Sequence, residues 1–200
     1  MSELQKTKLG LVMATDPRWV NIAEMQIGDI LSDHAWCEQK AATTCISLIV
    51  KCAKYEFIID EVSPIVAEEW GHFRKVIKEL KKRGLKFEPP RKDEYVNKLM
   101  ALEKKGVSKE ESVVEKLLIS AMIEARSCER FRLLSIHITD DDLKSFYREF
   151  MESEAGHYHT FIHLAKKVMP SDYVMKRWNE YLIAEAEIMK TLELRGDRMH

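Results

Sequence analysis

Apolar residues recur along most of the chain at steps of three and four rather than two, the spacing of helical faces, so nearly all of it is predicted helical. Asp16 before Pro17 opens a short lead helix, about 17–25: a side chain that caps the first turn, then a ring that needs no donor there. A long helix over about 26–54 carries Ile27, Leu31, Ala35, Ala42, Cys45, Ile49 and Cys52 as its stripe. A second, over about 56–84, carries Val62, Ile65, Val66, Phe73, Val76, Ile77 and Leu80, and Gly84 is its stop. Pro64 leaves two readings open: a kinked helix from Glu56, or one that begins at Ser63 with proline in its first turn. Pro89-Pro90 marks a linker, after which a short amphipathic helix spans about 94–105 and breaks at Gly106. Ser108 and Glu111 form a capping box for a third long helix, about 109–137. Thr139 and the acids at 140–142 start a fourth, about 140–168, and Ser171-Asp172 starts an extra helix, about 172–195.

Four long helices with a long crossover between the second and third predict an all-α, ferritin-like four-helix bundle with additional peripheral and C-terminal helices. Two hundred residues suit a single domain over 1–200. Hydrophobic residues make up 46% and charged residues 32%, a composition of ordinary globular chains that excludes disordered and collagen-like classes. The formal net charge of −1 gives no global nucleic-acid signature and leaves room for a locally basic face. Cys37, Cys45, Cys52 and Cys128 form no C-x-x-C pair and read as small buried hydrophobes in a reducing compartment. With no apolar leader and no long apolar run, a cytoplasmic protein without membrane contact is expected.

Two Glu-x-x-His units, Glu69 to His72 and Glu154 to His157, fall on the second and fourth long helices. Three residues make nearly one turn, so glutamate and histidine share a face. Chance alone supplies about one such pair in a chain of this composition, so the context matters more than the motif. Glu38 precedes Glu69 by 31 residues and Glu124 precedes Glu154 by 30, each on the preceding helix and inside an apolar stripe. Four carboxylates on core faces are costly unless paired or metal-bound. The repeated offset predicts two similar half-sites, with one glutamate from each of two helices and Glu-x-x-His from each of the other two, the ligand set of ferritin-like di-iron and di-manganese carboxylate proteins. Glu38, Glu69, His72, Glu124, Glu154 and His157 are therefore the expected ligands of two metal ions, and carboxylate bridges with imidazole caps suit iron with positions open to dioxygen. The bland alternative is a bundle with buried Glu–Lys or Glu–Arg pairs and two core histidines.

Around this set, His34 lies one turn before Glu38 and reads as a half-buried histidine or a supporting donor. Cys128 lies one turn after Glu124 and reads as packing or a cavity wall. Glu129 is an alternative ligand on a less apolar side, and Glu185 reads as a local ion pair. Lys81, Lys82 and Arg83 belong to a basic run from Lys75 to Lys92, a solvated face or an RNA contact.

Ile123-Glu-Ala-Arg-Ser-Cys-Glu-Arg-Phe131, Asp33-His-Ala-Trp-Cys-Glu-Gln-Lys-Ala41 and Glu68-Glu-Trp-Gly-His-Phe73 with the following Arg83-Gly84 resemble helix motifs of the bacterial tRNA 2-methylthio-isopentenyladenosine hydroxylases. The likeness runs from about Asp16 to the last helix. It implies a non-haem di-iron monooxygenase that hydroxylates the isopentenyl chain of a modified adenosine beside the tRNA anticodon, with dioxygen and electrons from a reductase. By motif position the two irons fall on the same six residues, and the arginine-rich third helix places Arg126 and Arg130 near phosphate or substrate. The implied partners are tRNA and the reductase, for a monomer or small oligomer. The rival expectation is an iron-handling or peroxide-scavenging ferritin-like protein with no nucleic-acid substrate. Rubrerythrins carry an additional Cys-x-x-Cys iron site that this sequence lacks.

Overall fold

The computed structural model describes residues 9–200, and the described residues form seven α-helices and no strand. These are α1 (Arg18–Met25), α2 (Ile27–Lys51), α3 (Glu56–Lys82), α4 (Glu94–Met100), α5 (Lys109–His137), α6 (Asp141–Val168) and α7 (Ser171–Lys190). Helix formation follows local chemistry. Ser108 accepts from the Glu111 amide while the Glu111 side chain accepts from the Ser108 amide, the reciprocal cap expected for α5. Asp140 accepts from the Leu143 amide and opens α6. Gly84, just after α3, and Gly106, in the loop between α4 and α5, take positive φ, at 65° and 69°, where a side chain would be strained.

Pro64 lies inside α3, which runs from Glu56, so of the two readings the start at Glu56 holds. The missing proline amide costs one bond, and Ser63 Oγ bonds the Ile59 carbonyl on the same turn at 2.6 Å. The short helix expected over 94–105 ends at Met100 and the last helix ends at Lys190, short of 195.

The chain divides into two compact units. One comprises Arg18–Lys92 with Arg195–Met199, and its body is a hairpin of α2 and α3, with α1 against α2. Its inner face holds Ile30, Leu31, Ala35, Ala42, Cys45, Leu48, Ile58, Val62, Ile65, Val76 and Leu80. The other comprises Asp93–Leu194 with the described residues 9–17 and His200, and its body is the hairpin of α5 and α6, against which α4 and α7 pack. Leu117, Leu118, Ala121, Phe131, Leu134, Tyr147, Phe150 and Phe161 form its core. Both hairpins arise the same way: two amphipathic helices joined by a short turn double back to bury their apolar stripes.

Candidate metal centre

Each hairpin carries one triad of two carboxylates and one imidazole, all buried except the half-buried His72. In α2 and α3, ligand atoms of Glu38, Glu69 and His72 lie within 4.8 Å of one another. Here His72 Nδ1 stands 3.4 Å from a Glu38 oxygen and 3.6 Å from a Glu69 oxygen. The three-residue step from Glu69 to His72 puts both on one face of α3, and the hairpin brings Glu38 of α2 against them. In α5 and α6, ligand atoms of Glu124, Glu154 and His157 likewise lie within 4.8 Å of one another. Ser153 Oγ lies 3.5 Å from His157 Nε2, one turn back on α6.

The surroundings of these groups favour a cation. Burial pushes the Glu38 carboxyl well above the usual carboxylate range, and the nearby Glu69 charge raises it further. Burial works against the His72 imidazolium, but the Glu38 and Glu69 carboxylates overcome it and push that histidine up to about 10. His72 thus carries the positive charge of its triad when no other cation is bound, and a divalent ion would take the place of its proton. The oxygen and imidazole donor set suits a first-row divalent metal, and the residues present fit one. His34 is wholly buried rather than half-buried, with Nε2 only 2.5 Å from Glu38 Oε1, so it orients that carboxylate.

The other residues singled out in the sequence have definite places. Arg126 is 0% exposed: its Nε and Nη2 donate to Glu185 at 2.9 and 2.6 Å, Nη2 also to the Met13 carbonyl, and Nη1 to Glu129 and Thr15. A guanidinium so enclosed has no donor left for RNA, and the expected substrate contact is corrected to a structural cation. Glu185 is correspondingly not in a local pair: its partner lies 59 residues away. Glu129 accepts from Arg126 and from the Thr15 amide and hydroxyl, so it anchors the N-terminal segment rather than substituting for Glu124. Arg130 is buried on α5. Lys81 is exposed, whereas Lys82 and Arg83 lean on Glu79, at 3.8 and 2.7 Å.

Cys128 lines a cavity of about 790 Å³ together with Ala14, Leu133, Ile136 and Met151, and its thiol donates to the Met151 carbonyl. Burial and the charges of Glu124 and Glu129 push that thiol up to about 11, which keeps it protonated and unreactive. Sequence reasoning missed Glu115 and Arg177, a second buried ion pair with Nε 2.7 Å from Oε1, because 62 residues separate them. It also passed over Trp70, which lies inside the Glu-x-x-His unit with its side chain outward, 49% exposed.

The comparisons with known proteins meet this geometry. The family model described as tRNA-(MS[2]IO[6]A)-hydroxylase (MiaE) matches residues 2–200. The chain belongs to the MiaE family. A tRNA 2-(methylsulfanyl)-N(6)-isopentenyladenosine(37) hydroxylase of Pseudomonas putida is 34% identical over 165 residues, 82% of this chain and 79% of that protein. A Salmonella typhimurium protein of the same name is 32% identical over 117 residues, 58% of this chain and 42% of its own length. Among solved structures, a Synechococcus protein with aldehyde deformylating oxygenase activity superposes with a TM-score of 0.88 at 30% identity, over 95% of this chain and 94% of that one. The all-α, ferritin-like class expected from the sequence is thereby borne out. MiaE membership makes the chain an enzyme of the oxygenase kind, one that uses a metal and dioxygen, and the two carboxylate–imidazole triads match that need.

Proposed function

We propose that this member of the MiaE family hydroxylates the isopentenyl side chain of (2-methylthio-)isopentenyladenosine next to the anticodon of tRNA, and that Glu38, Glu69, His72, Glu124, Glu154 and His157 hold two iron ions for it. The observation that carries this reading is the pair of triads, each with two buried carboxylates and one imidazole, in a chain matched end to end by a hydroxylase family. Both curated relatives bear the hydroxylase name, so the iron-handling or peroxide-scavenging alternative is not favoured.

Iron held by these residues would supply two-electron activation of dioxygen. One oxygen atom enters a C–H bond of the prenyl chain; the other leaves as water, with two electrons from a reductase and two protons. The protein's own part is to bind, orient and exclude water. His34 fixes one Glu38 oxygen, and the other faces His72 inside the triad, where it would serve as a ligand. The buried carboxylates Glu38, Glu69, Glu124 and Glu154 and the buried His157 would keep the bound metal shielded from bulk water. The substrate adenosine leaves the anticodon stack to reach the site, as in other base-modifying enzymes. No helix among the described residues is long and apolar enough to cross a membrane; on this reading the enzyme works on tRNA in the cytoplasm, as a monomer or small oligomer.

The test is nucleoside mass spectrometry of isopentenyladenosine tRNA incubated with iron-loaded protein, reductase, reductant and air. A gain of one oxygen, abolished in Glu124→Ala, is expected. No gain with iron still bound would overturn the reading.

A further inference from the structure

The unit built on α2 and α3 presents a feature that the metal triad does not use. Trp70 and Phe73 stack on α3 with ring centroids 4.9 Å apart and planes 22° from parallel. Behind them Trp36 of α2 and Phe87 of the following loop stack at 4.8 Å and 21°, and Phe73 meets Phe87 edge-on at 6.2 Å. The Trp36 indole N–H donates to the Glu88 carbonyl at 2.9 Å, which ties the loop to this cluster. The rings are therefore held in place before any ligand arrives. Trp70, at the open end of the row, has one face against Phe73 and remains half exposed. A large indole turned to water costs free energy unless something covers it.

Cations continue from that ring along the same face of α3. Arg74, Lys78 and Lys81 follow Trp70 within about 80° of arc and about 16 Å of helix, and all three are exposed. None of the three is engaged in an ion pair among the described residues, whereas the neighbouring Lys82 and Arg83 are held by Glu79. Glu68, on the preceding turn, lies 3.9 Å from His72. A half-exposed aromatic face leading into a row of free cations matches single-stranded nucleic acid, whose bases stack and whose phosphates need neutralising.

We propose that Trp70 is the stacking platform for a base of the RNA loop that carries the substrate nucleoside, with Arg74, Lys78 and Lys81 as the phosphate track beside it. This rests on the RNA-hydroxylase reading and names the surface that serves it. Trp70 lies between Glu69 and His72 in the chain, so a base stacked there is held on the outer face of the helix that carries that half of the ligand set. The preference is for the loop's unpaired bases rather than for its sequence, because every base has a face to stack.

The experiment uses the full iron-loaded chain and an anticodon stem–loop RNA carrying isopentenyladenosine, with binding read by fluorescence anisotropy and metal content measured on every variant. Trp70→Ala weakens binding about tenfold or more. The double variant Arg74→Glu with Lys81→Glu weakens it and lowers the slope of log affinity against log salt by one to two. Trp70→Phe keeps affinity within about threefold, but the quenching of tryptophan emission by RNA is largely lost. That readout stands even where Trp70→Ala fails to fold. Unchanged affinity in the first two variants, or undiminished quenching in Trp70→Phe, overturns the platform alone. No RNA binding by the unaltered protein overturns the RNA reading, and the platform with it.

Discussion

The Arg126 guanidinium and the Glu185 carboxylate meet in a solvent-free interior, with Nη2 2.6 Å from Oε1 and both side chains 0% exposed. Burial raises the Glu185 carboxyl, and the arginine opposes that shift. Such a pair contributes little net stability while intact, but it is costly to break, because the survivor is left as an uncompensated buried charge. Arg126→Met is expected to destabilise the fold by about 3–5 kcal/mol in urea unfolding. Pairing it with Glu185→Leu should recover part of that loss, since both charges then leave together. Additive losses in the double variant would mean that the two residues act independently.

Metal binding should be visible without turnover. Iron(II) added under anaerobic conditions is expected to raise the melting temperature, because the triads bind the ion only when folded. Glu154→Ala and Glu38→Ala should each bind less metal per chain by elemental analysis and show a smaller rise. An unchanged metal content in both variants would remove these carboxylates from the ligand set.

Glu115 sets an acid limit on stability. Burial raises its carboxyl, but hydrogen bonds from Arg177, Tyr181 and the Lys104 amide outweigh this and hold it below the usual range. A carboxyl depressed in the folded state contributes stability that is fully present above its unfolded pKa, about 4.3, and is lost as pH falls through the lower folded value. Glu115→Gln should therefore cost stability at pH 7 and lose much of that difference by pH 3. Urea midpoints of the two proteins at both pH values check this, and a constant gap would contradict it.

The C-terminal segment is held on the first helical unit through Asp33, which accepts from Arg198 at 3.1 Å and from the Met199 amide at 2.8 Å. Gly196 makes this approach possible, since a Cβ there would sit 2.4 Å from the Ile22 carbonyl oxygen, which is backbone and cannot swing away. Gly196→Ala is expected to cost about 1–3 kcal/mol and to speed proteolysis near the C-terminus. Wild-type resistance to protease in that variant would show that the segment has another anchor.

The sequence alone determined the helices, their order and the six carboxylate and imidazole positions. Each follows from short-range physics: a 3.6-residue period, a cap within three residues, and a costly carboxylate in an apolar stripe beside a histidine one turn away. What sequence left open was decided by groups distant in the chain. Pro64 sits within α3 because the hairpin's packing outweighs one lost hydrogen bond. Arg126 looked like an RNA contact from its motif, and only the fold brought Glu185, Thr15 and Met13 around it, from 59, 111 and 113 residues away. Trp70 carries no signal in the sequence beyond its place inside a ligand motif, and only the fold shows it stacked on Phe73 and half exposed. Periodicity says which side of a helix is apolar. What that side meets is set by tertiary packing, and so is whether a charge is consumed inside the fold or left for a partner.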